Sequence, residues 1–210
     1  MDQLPIDRYL SFLDQVLTPN RLQHSLGVMH VMGELAEIYA LDRSKALVAG
    51  LLHDAGKDLS PAQRERIIKV ANIEIRFPCE LDYVLYLHGP VGACLVQEQL
   101  GITDPHILDA ISMHTYYGNG AYFDAPLVWC LRFSDLLEPT RNWNQVSWLR
   151  DGASRLRETV YAGYMAEGAF LQTGWLIKWF EETKRPVHPN MRRVYKKLSI
   201  QLNLTGIFLG

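Results

Sequence analysis

Four times along the chain a polar residue stands directly before a proline, at the head of a stretch whose apolar residues recur at helical spacing: Thr18-Pro19, Ser60-Pro61, Asp104-Pro105 and His188-Pro189. Proline suits the first turn of a helix, where its missing N–H is not needed, and the preceding side chain can accept from a free backbone N–H. This punctuation predicts helices over 5–17, 19–40, 43–55, 61–72, 79–87, 90–100, 105–115, 125–138, 151–183 and 189–202. No segment sustains a polar–apolar alternation, and Asn119-Gly120, the nearest approach to a hairpin turn, has only Thr115-Tyr116-Tyr117 beside it. The expected fold class is all-α, with a polar and aromatic loop from Tyr116 to Asp124.

A chain of 210 residues, 48% hydrophobic and 21% charged, has the composition of an ordinary globular protein. Without a repeat, a low-complexity tract or a long linker, 1–210 is read as a single domain. The formal charge of -2 argues against broad attachment to a nucleic acid polymer or an anionic membrane, either of which calls for excess Lys and Arg. Cys79, Cys94 and Cys130 are odd in number and widely spaced, which fits reduced thiols in a cytoplasmic protein. The opening MDQLPIDRYL lacks a basic stretch followed by an apolar core, and the apolar run Ala46 to Leu52 is far too short for a bilayer, so a soluble, unexported protein is expected.

A His-Asp pair alone is weak evidence, but the setting of His53-Asp54 is informative. The pair closes an apolar helix (Leu47, Val48, Leu51, Leu52) and precedes Ala55-Gly56-Lys57. Neighbouring side chains on a helix diverge by about 100°, so both reach one ion only if it sits beside the helix end, with other helices supplying further ligands. His24, His88, His114 and Asp135 are the candidates, each embedded in or ending an apolar helical stretch. Taken singly, each reads equally as a hydrogen-bonded core residue or a helix-end group. Buried ionisable groups are costly unless paired or ligated, and four of them beside an HD pair favour a metal site. His30 and His106 are read as structural or surface residues. In the helix 19–40, Leu22, Leu26, Met29, Met32 and Leu35 form an apolar stripe. In the helix 43–55, Ala46, Ala49, Gly50 and His53 share a face of very small side chains that another helix or a ligand can approach closely.

The order His24, then Leu51-Leu52-His53-Asp54-Ala55-Gly56-Lys57, then Asp135 resembles the H…HD…D signature of the HD-domain superfamily of metal-dependent phosphohydrolases. Arg21-Leu22-Gln23-His24-Ser25-Leu26-Gly27-Val28, His88-Gly89-Pro90-Val91-Gly92-Ala93, Ile111-Ser112-Met113-His114-Thr115 and Asp135-Leu136-Leu137-Glu138-Pro139-Thr140-Arg141 resemble its symmetrical bis(5'-nucleosyl)-tetraphosphatase branch, over residues 5–198. The resemblance implies an HD-type helical bundle in which His24, His53, Asp54 and Asp135 ligate a divalent metal. Iron comes first, with manganese, cobalt, nickel or zinc as alternatives for a nitrogen and oxygen ligand set. It also implies catalytic roles for Asp54, His88 and His114, the two histidines binding phosphate or ligating a second ion. Arg21, Lys57, Thr115, Arg141 and, more weakly, His188 would be further contacts to the substrate. The implied reaction is attack of metal-activated water in the middle of diadenosine tetraphosphate, giving two ADP.

Departures from the branch are confined. After His114-Thr115 the family usually continues Thr-Gly, whereas this chain has the longer Tyr116-Tyr117-Gly118-Asn119-Gly120-Ala121-Tyr122. Tyr116, Tyr117 and Tyr122 either stack on a base or pack over a hydrophobic edge, with packing the favoured reading. Ser134 stands where the family often has Ala, and Trp129 is bulky; neither should prevent metal binding. Trp143, Trp148, Trp175 and Trp179 read as core or interface packing, which leaves a homodimer open. The rival readings are an HD hydrolase for another small nucleotide, a metal- and nucleotide-binding regulator, and a helical module whose histidines only pack the core.

Overall fold

The computed structural model describes residues 5–204; residues 1–4 of the N-terminal stretch and the last six of the 1–210 domain assignment lie outside the described residues. Among these the regular structure is helical, with no strand, and no helix is long and apolar enough to cross a membrane. The chain divides into two compact units, Met1–Thr140 and Arg141–Gly210.

The first unit holds α1 (Ile6–Val16), α2 (Pro19–Ile38), α3 (Arg43–Leu52), α4 (Pro61–Val70), α5 (His88–Leu100), α6 (Pro105–Met113) and α7 (Pro126–Leu137). The second holds α8 (Ser147–Tyr161), α9 (Met165–Glu182) and α10 (Pro189–Gln201). All four polar–proline pairs begin helices, by different chemistry. Ser60 and Gln63 form a reciprocal capping box, Asp104 accepts from the N–H groups of His106 and Ile107, and His188 Nδ1 accepts from Asn190 N. Thr18 instead donates its N–H and hydroxyl to Asp58, at 3.0 and 2.8 Å, tying the start of α2 to the segment after His53-Asp54.

Two expected helices are corrected. The stretch 151–183 is broken between α8 and α9, where Gly163 takes φ 84° and Tyr164 N bonds back to Thr159 O. That is a left-handed glycine stop, which the continuing apolar periodicity conceals. The stretch 79–87 is not an α-helix but a 3-10 turn, Pro78–Leu81, followed by a π turn, Tyr83–Leu87, and α5 begins at His88 rather than at residue 90.

In the first unit α2 packs on α3 and α7, α3 on α6 and α7, and α5 on α6. The innermost face of α2 is His24, Val28, Val31, Met32 and Leu35; the expected stripe of Leu22, Leu26 and Met29 lies on its half-buried flank. His24 is therefore on the buried face itself. The small-residue face of α3 is occupied by α2: a Cβ on Gly50 would come within 2.9 Å of the Met29 Cα. In the second unit Gly152 leaves room for the Trp175 indole, Trp143 meets Trp175 and Trp179 edge-on at 4.7 and 5.8 Å, and Phe170 stacks on Tyr195. These contacts fit the packing reading of Trp143, Trp175 and Trp179.

Candidate metal centre

Six side chains from five segments of the first unit meet at one place. His24 comes from the second turn of α2, His53-Asp54 from the end of α3, His88 from the start of α5, His114 from the cap of α6 and Asp135 from the last turn of α7. His24 Nε2 lies 3.0 Å from Asp135 Oδ1 and 3.7 Å from Asp54 Oδ2. His53 Nε2 lies 3.6 Å from Asp54 Oδ2 and 4.0 Å from Asp135 Oδ1. Donor atoms of His24, His53 and Asp135 fall within 4.8 Å of one another, and so do those of His53, Asp54 and His114.

The ring orientations are set from behind. His53 Nδ1 donates to Gly50 O at 2.8 Å, and His114 Nδ1 donates to Ile111 O at 2.6 Å. His24 Nδ1 is 3.0 Å from Glu138 Oε1. A carbonyl or carboxylate can only accept, so each Nδ1 carries its proton and each Nε2 presents a lone pair inward, the form a metal ion takes. His53 Nε2 is fully buried without a hydrogen-bond partner, a costly arrangement that a bound cation would relieve. The donor set of imidazole and carboxylate suits a divalent ion of the iron, manganese, cobalt or zinc type.

The electrostatics divide the site. Burial alone would raise the Asp54 pKa, but Lys57, His53 and the hydrogen-bonded His88 together hold it well below the usual carboxylate range. Burial pushes the His53 and His114 pKa values down, and burial with Lys57 takes His88 down to about 4. At neutral pH these three imidazoles are uncharged beside an ionised Asp54. His88 Nε2 is 3.1 Å from Asp54 Oδ1 and 3.0 Å from His114 Nε2, while Lys57 Nζ lies against the ring, 3.0 Å from His88 Nε2 and 3.3 Å from its Nδ1. A His88 tautomer protonated on Nε2 donates to Asp54 and leaves Nδ1 as the acceptor for Lys57. Arg21, with 28% of its side chain exposed, reaches Asp54 Oδ2 at 3.0 Å.

Not every expected site residue joins this cluster. Thr115 commits its hydroxyl to Tyr86 O at 2.7 Å. Arg141 and His188 belong to the second unit, and the fully buried His188 ring caps α10. His30 lies on the surface near Glu34, and His106 leans on Tyr122, matching their structural readings. Tyr116 and Tyr117 are buried; Tyr117 donates to Glu74 O, and Tyr116 sits against Trp129 and Phe123, so the packing reading of that loop holds for both.

Two residues escaped the sequence reading. Glu138, 2% exposed, stands three positions after Asp135 and accepts from His24 and from both the N–H and the hydroxyl of Thr140, at 2.7 and 2.5 Å. Its i, i+3 spacing from Asp135 and its place in the Asp135–Arg141 segment that resembles the branch are the signals that could have found it. Arg132, also 2% exposed, is enclosed by the rings of Tyr116, Phe123 and Trp129 and donates to Met113 O and Phe123 O. Nothing in its apolar helix marks it.

Comparison with known proteins agrees with this geometry. Residues 21–162 match the HD domain model, a span that includes every member of the cluster. The chain belongs to the HD domain family. It is 29% identical to the symmetrical bis(5'-nucleosyl)-tetraphosphatase of Halalkalibacterium halodurans, over 88% of this chain and 92% of that protein. It is 34% identical to the protein of the same name from Bacillus subtilis, over 71% of this chain and 76% of that one. The crystal structure of a predicted HD superfamily hydrolase involved in NAD metabolism from Clostridium acetobutylicum superposes with a TM-score of 0.80 at 26% identity, covering 95% of this chain and 99% of that one.

Proposed function

We propose that the chain is a metal-dependent hydrolase that cleaves diadenosine tetraphosphate symmetrically to two ADP. The observation that carries the reading is the convergence of imidazoles pinned at Nδ1 on two carboxylates, with the buried Nε2 of His53 left without a hydrogen-bond partner. The substrate comes from the named tetraphosphatases, which align with this chain over most of their length.

His24, His53, Asp54 and Asp135 would hold the ion, iron before manganese, cobalt or zinc. When bound, a divalent ion supplies Lewis acidity, acidifying a water ligand and offsetting charge on the attacked phosphate. Asp54, ionised at neutral pH, also fixes the Nε2–H of His88. Lys57 as a compact cation and Arg21 as a planar fork offer two kinds of contact to phosphate oxygens, and His88, whose Nε2–H rests on Asp54, is assigned beside them to the substrate phosphate. Neutral His114 can take up a proton at Nε2, since its Nδ1 is held by Ile111 O. Arg141 and His188 are assigned to the nucleoside end of the substrate, and Thr115 to shaping the turn behind His114. Residues 1–210 are assigned to one hydrolase domain, and the family match over 21–162 continues past Thr140.

The test is product analysis: protein supplied in turn with ferrous, manganous and cobalt ions, diadenosine tetraphosphate as substrate, and Asp54→Ala as control. Two ADP, absent from the control, is the expected result; AMP plus ATP would reject symmetric cleavage. A second reading, an HD hydrolase of another nucleotide, is kept because the Clostridium structure is described as involved in NAD metabolism. Including NAD in the same assay separates the two.

A further inference from the structure

Glu138 is built into the first unit with unusual care for a residue that ends a helix. It is 2% exposed, and its carboxylate accepts from Thr140 N, Thr140 Oγ1 and His24 Nδ1. The space it fills is reserved by a glycine on α2: a Cβ at Gly27 would fall 2.5 Å from Glu138 Oε2. Thr140 fixes the carboxylate, the carboxylate fixes the His24 ring, and the ring turns Nε2 toward Asp54 and Asp135. A carboxylate behind a ligating imidazole does two things: it locks the tautomer and raises the basicity of the opposite nitrogen. The other two rings pinned at Nδ1 have only carbonyl oxygens behind them, from Gly50 and Ile111.

Resting on the reading of His24 as a metal ligand, we infer that Glu138 is the positioning residue of the centre, the one outer group that makes His24 a stronger donor than its fellow histidines. Gly27 and Thr140 are the parts of the fold that hold it in place.

The experiment compares Glu138→Gln, Glu138→Ala and His24→Ala with the parent full-length chain. Zinc affinity is measured by competition with a chelator, alongside proton exchange at the His24 Nδ1 in the zinc-loaded protein by nitrogen-15 NMR. Expected is a loss of roughly 10–100-fold in affinity for Glu138→Ala, the range typical of an outer-shell partner. A smaller loss is expected for Glu138→Gln, which keeps an acceptor but not the charge, with faster Nδ1 exchange in both. Glu138→Gln is nearly isosteric and carries the test if the alanine variant does not fold. Parental affinity in Glu138→Gln, or weaker affinity with Nδ1 exchange unchanged, overturns the inference. If His24→Ala binds zinc as tightly as the parent, the ligand reading itself fails; if it loses zinc while both Glu138 variants keep it, only the inference fails.

Discussion

Two of the polar centres buried in the first unit are finished differently. Around Arg132 the terminal nitrogens donate to two carbonyls and three aromatic rings enclose the guanidinium, so a cation is held in the core by groups the chain itself provides. Around His53 the outer ring nitrogen is held by a carbonyl, but the inner one has no hydrogen-bond partner. Both centres cost desolvation, and burial lowers the pKa of Arg132 to about 10 just as it lowers that of His53. The difference is one of direction: the terminal nitrogens of Arg132 point at carbonyl oxygens, whereas His53 Nε2 points at the carboxylates of Asp54 and Asp135, where a cation would sit. A buried polar group thus signals function by the direction of its free valence rather than by its burial.

The sharpest way to break this contrast is Asp54→Ala. Losing the carboxylate that Arg21, Lys57 and His88 all face should abolish tetraphosphatase activity by far more than the roughly 10–100-fold typical of an outer-shell change, and bound metal by elemental analysis should fall with it. Arg132→Met should do the reverse. Two carbonyls lose their donors, at about 1–3 kcal/mol each, so Tm should drop by roughly 4–24 °C, taking about 2–4 °C per kcal/mol. Metal content per folded molecule should stay near parental.

Acid separates the two centres as well. His88 titrates at about 4 folded against 6.5 unfolded, so between these values the unfolded chain binds more protons. In chelated protein this stability is fully present above pH 6.5 and is lost as pH falls toward 4; thermal melts should show it, and His88→Asn should flatten the slope. A melt that holds steady from pH 6.5 to 4 would refute the buried neutral imidazole. The smallest effect is expected at the cage wall: Phe123→Leu removes one of three aromatic faces, worth about 0.5–2 kcal/mol, and should lower Tm by a few degrees without touching zinc affinity.

Much of the fold and of the cluster was legible in the sequence because the signals are local. Polar–proline pairs start helices by chemistry contained in a few residues, and the small face of α3 announced a close neighbour, which proved to be α2. What stayed hidden depends on distant or compensated partners. Arg132 sits in an apolar helix with its aromatic cover partly in the preceding loop, and Glu138 finds His24 across 114 positions. The break at Gly163 was masked because apolar spacing resumes on its far side with the same period. The irregular turns before His88 arise where Asp82 caps Leu85 N and the Tyr83 hydroxyl donates to Gly56 O, a long-range contact that periodicity does not encode.

Gly56 and Gly92 approach so closely that their backbones touch: a Cβ on Gly56 would lie 2.7 Å from Gly92 N, and one on Gly92 would lie 3.1 Å from Gly56 N. The segment after His53-Asp54 and the first turn of α5, which carries His88, are therefore spaced by main-chain atomic radii, with no side chain between them. Substitutions elsewhere in the core can change how firmly the unit holds together while leaving that spacing alone. As long as both positions remain glycine, the gap between Asp54 and His88 behaves as a fixed gauge block, against which the softer parts of the molecule are free to vary.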